Sequence, residues 1–183
     1  MKSELVNILK EFAVQYKIDW RILFAILYKE SNANGFEDGL IKKRYEKHIH
    51  QGFIKCYNNV SCPAHPRLPA LKREWILTHS LKQLEFMSTS FGVAQIMGYW
   101  YKLLNYGSVN DMVISWIASE EIQIRDFCLF CVRYNSGKFL EALQKLDYQS
   151  IAKQYNGAGY KANNYDIDIE KYFNQAEKLK DKD

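Results

Sequence analysis

DWRILFAILYKES, residues 19–31, opens on an aspartate suited to cap a helix and places Ile22, Leu23, Ile26 and Leu27 at the recurrence of one helical face. Lys29, Glu30 and Ser31 then close the segment in polar residues, which puts Glu30 at the C-terminal end of a buried helix. Working outward, Leu5, Ile8, Leu9, Phe12 and Tyr16 form the stripe of a preceding helix. On the other side, SNANGFEDG (31–39) has the Asn, Gly and Asp density of a loop, and GLIKKRYEKHIH (39–50) reads as a short strand or an irregular piece. All three prolines fall within NNVSCPAHPRLP (58–69), read as a long irregular surface insertion and not as a domain boundary. Helical periodicity returns in residues 70–88, 91–107, 108–134, 137–146, 148–157 and 167–179, with Gly92, Gly98, Gly107, Gly137 and Gly157 punctuating the segments. The charged tail, 176–183, is expected to fray. The expectation is a mostly α protein, a single domain over 1–183, with a small irregular or short-strand region around 38–50.

Length and composition agree with one domain: 183 residues at 48% hydrophobic content suffice for one compact core. The net charge of +4 suits a chain that meets an acidic surface, and the lysines and arginines are interleaved with acids, which argues against a nucleic-acid binder. Glu4, Lys10 and Glu11 interrupt the N-terminal apolar positions, so no signal peptide is expected and synthesis in the cytoplasm is. No apolar run reaches membrane-spanning length, and membrane insertion is not expected. The cysteines, Cys56, Cys62, Cys128 and Cys131, are expected to be reduced thiols, with Cys128 and Cys131 three apart on one buried helical face. Cys56 and Cys62, with His65 nearby, are the better disulfide or metal pair, but one short loop supplies too few ligands. His48 and His50 would share a face of a strand without a third ligand, so neither a metal nor another cofactor is expected.

Glu30 is the residue on which chemistry can rest. A carboxyl against an apolar wall at the negative end of a helix has its charged form disfavoured, so it can hold a proton at neutral pH. Two further segments give it context. STSFGVAQIM (88–97) places Ser90 before a Gly92 turn and Gln95 entering an apolar helix, and QYNGAGY (154–160) places Tyr155 and Asn156 in a second turn.

A Glu-Ser pair ending a helix, a Gly-x-x-Gln turn and a Tyr-Asn turn, in that order, resemble the lysozyme and lytic transglycosylase superfamily. ILYKESNANGF (26–36), RYEKHI (44–49), STSFGVAQIM and QYNGAGYKANNYD (154–166) resemble, more closely, the N-acetylmuramidase domain family of phage endolysins, over about residues 20–175. The resemblance implies a lysozyme-like helical fold and cleavage of the bond between N-acetylmuramic acid and N-acetylglucosamine in peptidoglycan. It implies Glu30 as the catalytic acid and Glu46 as the second glutamate, although Tyr45-Glu46-Lys47-His48 departs from the family's Phe-Glu-Arg-His. Ser31, Ser90, Gln95, Tyr155, Asn156 and Tyr165, the last paired with Asn163, are implied as substrate-positioning residues.

Glycoside hydrolysis needs a protonated carboxyl beside the leaving oxygen and a second group that activates water or attacks the sugar. Glu46 can fill that second role, or be a structural ion pair among Lys42, Lys43, Arg44 and Lys47; Glu37 and Asp38 are less favoured. Tyr99, Trp100, Tyr101 and Tyr106 can stack on sugars, with at least half expected in the core. The rival readings are a lytic transglycosylase giving anhydro-muramic products and a non-catalytic peptidoglycan-binding module. The expected partner is the glycan strand, met by a monomer in the periplasm or cell wall after delivery or membrane permeabilisation.

Overall fold

A computed structural model describes residues 2–62 and 72–179. Helix α1 (Lys2–Tyr16) leads into α2 (Trp20–Ser31), whose Asp19 side chain accepts the Arg21 backbone N–H at 3.0 Å. The Arg21 guanidinium also grips the Asp19 carboxylate, which holds that carboxyl below its usual range, and lies 4.5 Å from the centre of the Phe173 ring. Every residue from Ile22 to Leu27 is fully buried, so α2 is the central helix. It is flanked by α1 and by the C-terminal helix α10 (Tyr165–Leu179). Asn32, at φ 60°, ends it in the left-handed conformation.

Next come short strands. β1 (Phe36–Glu37) and β2 (Leu40–Ile41) form a hairpin, and β3 (Lys43–Tyr45) is the edge of an antiparallel three-stranded sheet with β4 (Thr89–Phe91) and β5 (Ile96–Met97). Between β3 and β4 lie α3 (Lys47–Tyr57), α4 (Arg73–Leu77) and α5 (Leu81–Met87). After β5 a 3-10 turn, Gly98–Trp100, precedes α6 (Val109–Ala118), α7 (Glu120–Arg133), α8 (Lys138–Gln144), α9 (Tyr148–Tyr155) and α10. Trp116, Phe127 and Phe139 are the large side chains buried among these later helices. The fold is mostly α, with short strands.

The structure corrects several expectations. The strand region spans 36–45; from Lys47 the chain is helical, because Ile49, Phe53 and Cys56 recur at helical spacing and bury one face. His48 and His50 therefore point to different sides of α3, since two residues along a helix are about 200° apart. Gln95 does not enter a helix: residues 91–107, read as helical, contain the turn of the β4–β5 hairpin and a 3-10 turn instead. Residues 108–134 break at Ser119, whose extended backbone ends α6 while its hydroxyl accepts the Ile122 N–H and starts α7. Cys56 and Cys62 are joined in a disulfide, not left as thiols: the chain folds back after α3, with the Val60 and Ser61 N–H groups reaching the Lys55 carbonyl. Cys128 and Cys131 are free and buried as expected; burial pushes the Cys128 thiol up to about 12 and Cys131 well above its ordinary value. Helix α10 runs to Leu179, with Ala176 and Leu179 buried, so the first four residues of the expected tail, 176–179, are helical. His65 and the prolines of the expected insertion, like the last four tail residues, lie outside the described residues.

Candidate active site

Glu30 occupies the last turn of α2, half-buried at the wall of a cavity of about 370 Å³. Its Oε1 accepts the hydroxyl of Tyr165 at 2.5 Å, from the first residue of α10. Tyr165 is only 2% exposed and is not among the residues lining the cavity; its hydroxyl reaches Glu30 from behind the cavity wall. The Ser31 hydroxyl is turned inward, although the residue also borders a second hollow. Ser31 is 6% exposed, and its hydroxyl donates to the Val93 carbonyl at 2.6 Å while accepting the Asn34 N–H at 3.2 Å. The helix end that carries Glu30 is thereby pinned to the turn that carries Gln95.

That turn, Gly92–Gln95, joins β4 to β5. Gly92 lies at φ +73° and Gln95 at φ +49°, and the Gln95 amide folds onto its own turn, donating to the Gly92 carbonyl at 2.8 Å and accepting the Ser90 hydroxyl at 3.0 Å. The Tyr155 hydroxyl donates to the Ala94 carbonyl at 2.6 Å, and its ring stacks on Phe139 and on Tyr165. Beneath the turn lies Gln123 of α7, 1% exposed, which accepts the Val93 N–H at 2.8 Å and donates to the Trp116 carbonyl at 2.7 Å. A Cβ on Gly35 or Gly92 would stand 2.2 Å or 2.4 Å from the Gln123 Oε1, so both loops are pressed against one buried amide. Glu120, from the same helix, accepts the Gly35 N–H at 2.5 Å. Sequence reading had singled out neither residue.

Around the cavity the structure brings together Glu30, Glu46, Ser90, Gln95, Tyr155 and Asn156. Glu46, at the start of α3, pairs with Arg44 at 2.7 Å and lies 3.6 Å from the His48 ring nitrogen. Glu46 thus combines a place at the cavity wall with a local ion pair. Arg44, His48, Ile49, Met97 and Tyr99 complete the wall. Of the four aromatic residues after the Gly-x-x-Gln turn, Tyr99 alone lines this cavity. Trp100 packs on Phe130 and Tyr134, Tyr101 bonds His79 at 2.9 Å, and Tyr106 bonds Asp126 at 2.7 Å.

A second, more open hollow of about 320 Å³ shares Glu30 and Gln95 with the first, so the acid stands at the junction of one groove. Lys29, Lys42 and Lys43 line this half, together with Glu37. Among the described residues no cluster of three or more His, Cys, Asp or Glu side chains is placed to hold a metal ion. No helix among them is long and apolar enough to cross a membrane.

A family model described as Muramidase, N-acetylmuramidase, matches residues 19–177. Among solved structures, the crystal structure of Burkholderia AP3 phage endolysin is similar at a TM-score of 0.66 and 26% identity, over 93% of this chain and 70% of that one. No curated protein matches significantly.

Proposed function

As the chain belongs to the N-acetylmuramidase family and is a glycoside hydrolase acting on peptidoglycan, we propose that Glu30 is its general acid and that it cuts between N-acetylmuramic acid and N-acetylglucosamine. The observation that carries this reading is the position of Glu30: a half-buried carboxyl on the last turn of the helix whose middle, Ile22 to Leu27, is fully buried, held by Tyr165, at the junction of both halves of the groove. When protonated, a carboxyl whose Oε1 accepts the tyrosine hydroxyl keeps its own proton on Oε2, the better arrangement for delivery to a glycosidic oxygen. Gln95 and Tyr155 line the same cavity, with the buried Met97 and Tyr99 giving its wall apolar backing.

Glu46 takes the second role in this reading. Its pairing with Arg44 supports a carboxylate that activates water or steadies positive charge developing on the sugar, while Glu30 supplies the proton. Mass spectrometry of fragments released from purified peptidoglycan by wild type, Glu30→Gln and Glu46→Gln tests both assignments. Reducing-end muramic acid products that disappear with Glu30→Gln support the hydrolase with Glu30 as acid. Anhydro-muramic products would make the enzyme a lytic transglycosylase, and unchanged release by Glu30→Gln would remove Glu30 from the mechanism.

A further inference from the structure

The two halves of the groove differ in chemistry. The first has apolar side chains in its wall, the buried Ile49, Met97 and Tyr99 and the half-buried Tyr155. Among the described residues the second has no aromatic or aliphatic side chain in its lining; it is walled by Lys29, Lys42 and Lys43, with Glu37 the one carboxylate besides Glu30. The three ammonium groups are not equivalent. Lys29 is neutralised by Asp168. Lys42 donates to the Ser31 carbonyl at 2.8 Å, which fixes its charge at the end of α2, one residue beyond Glu30. Lys43 stands exposed on the edge strand β3. Among the described residues neither Lys42 nor Lys43 lies within ion-pair distance of a carboxylate.

Peptidoglycan differs from other amino-sugar polymers in that each muramyl ring carries, through its lactyl group, a short peptide with several free carboxylates. A hollow that shares Glu30 with the cavity is within reach of a substituent of the ring being cut. We propose that the lysine-lined half of the groove is a subsite for this carboxylate-bearing peptide stem, with Lys42 and Lys43 as its cationic contacts. The assignment rests on Glu30 marking the point of cleavage. Lys42 is the preorganised contact, because its ammonium is already held; Lys43 is the adjustable one.

The test compares kcat/KM of the full chain on soluble glycan strands that retain their stems with the same strands stripped by an amidase, which leaves a free lactyl carboxylate. Wild type should favour stem-bearing strands by about three- to tenfold, the size of one or two partly exposed ion pairs, and the preference should shrink as salt is raised. Lys42→Gln combined with Lys43→Gln should bring the ratio towards one, and the two Arg replacements should retain it. Lys43→Gln alone, on an exposed side chain, gives the same reading at smaller size should the double variant fold poorly. A wild-type ratio at or below one overturns the proposal, because sugar or lactyl carboxylate would then suffice; so does a ratio that both Gln variants keep. Glu30→Gln is measured alongside: cleavage by it refutes the acid, whereas a ratio indifferent to the lysines with Glu30→Gln dead refutes only the stem subsite.

Discussion

Gly92 and Gly39 share a backbone conformation and differ in what surrounds them. Their φ angles are +73° and +76°, so alanine carries the same left-handed penalty at either site, about 1 kcal/mol. At Gly39 nothing lies within 4 Å of the added methyl, whereas at Gly92 it would meet Gln123 Oε1 at 2.4 Å and Cδ at 2.9 Å. Gln123 is buried and holds the Val93 N–H and the Trp116 carbonyl, so moving aside leaves at least one buried polar group unpaired, at a cost of roughly 1–3 kcal/mol. Gly39→Ala should therefore lose about 1 kcal/mol and Gly92→Ala about 3 kcal/mol. For a domain of this size, each kcal/mol lowers Tm by roughly 2–4 °C, giving a fall of roughly 2–4 °C against one of roughly 6–12 °C. Thermal unfolding followed by circular dichroism reads both. The double variant Gly92→Ala/Gln123→Ala should be less unstable than the sum of its singles, since removing the amide relieves the clash. Equal Tm losses for the two glycines, or strict additivity in the cycle, would refute the claim that the turn is pressed against Gln123.

Tyr165→Phe should lower kcat by roughly tenfold with KM little changed, because the hydroxyl holds the acid and is too buried to meet substrate; a change confined to KM would contradict this. Reducing the Cys56–Cys62 disulfide, which closes a short loop, should lower stability by roughly 2 kcal/mol. Cys62→Ser should show the same loss and no response to reductant in a melting experiment. Asp126 is held above its ordinary value of 3.8 by burial, against the opposing donors Trp116 and Tyr106, so folding favours its protonated form. The contribution is present below 3.8 and lost as pH rises through the folded-state value, so wild type should gain stability relative to Asp126→Asn on acidification and level off below 3.8. A stability difference independent of pH would show that Asp126 titrates alike in both states.

The central helix could be read from sequence because its cap, apolar face and polar end lie within one contiguous stretch and agree with one another. Glu30 was legible for the same reason. The β4–β5 hairpin was not: Phe91, Ile96 and Met97 are all buried, and strands of two or three residues are too short to display an alternation, so an apolar run there imitates a helix. Helix α3 was hidden by its own polarity, with three buried side chains among basic residues and histidines. Tyr165 was marked by the resemblance without its partner, which is 135 residues away, and pairing at that distance leaves no local trace. Gln123 did leave a signal. It lies on the same helical face as Phe127, and a polar residue on a buried stripe must have a partner somewhere.

The acid and the lysines are mounted on very different parts of the molecule. Glu30 projects from a helix whose middle, Ile22 to Leu27, is closed to solvent, whereas Lys42 lies between β2 and β3 and Lys43 in β3, beside a hairpin that leaves Leu40 73% exposed. Substitution near the first must be accommodated by the whole core; near the second, by little more than a loop. A change at Glu30 is therefore felt by the core, whereas the lysine-lined side can be altered without the protein having to be refolded around it.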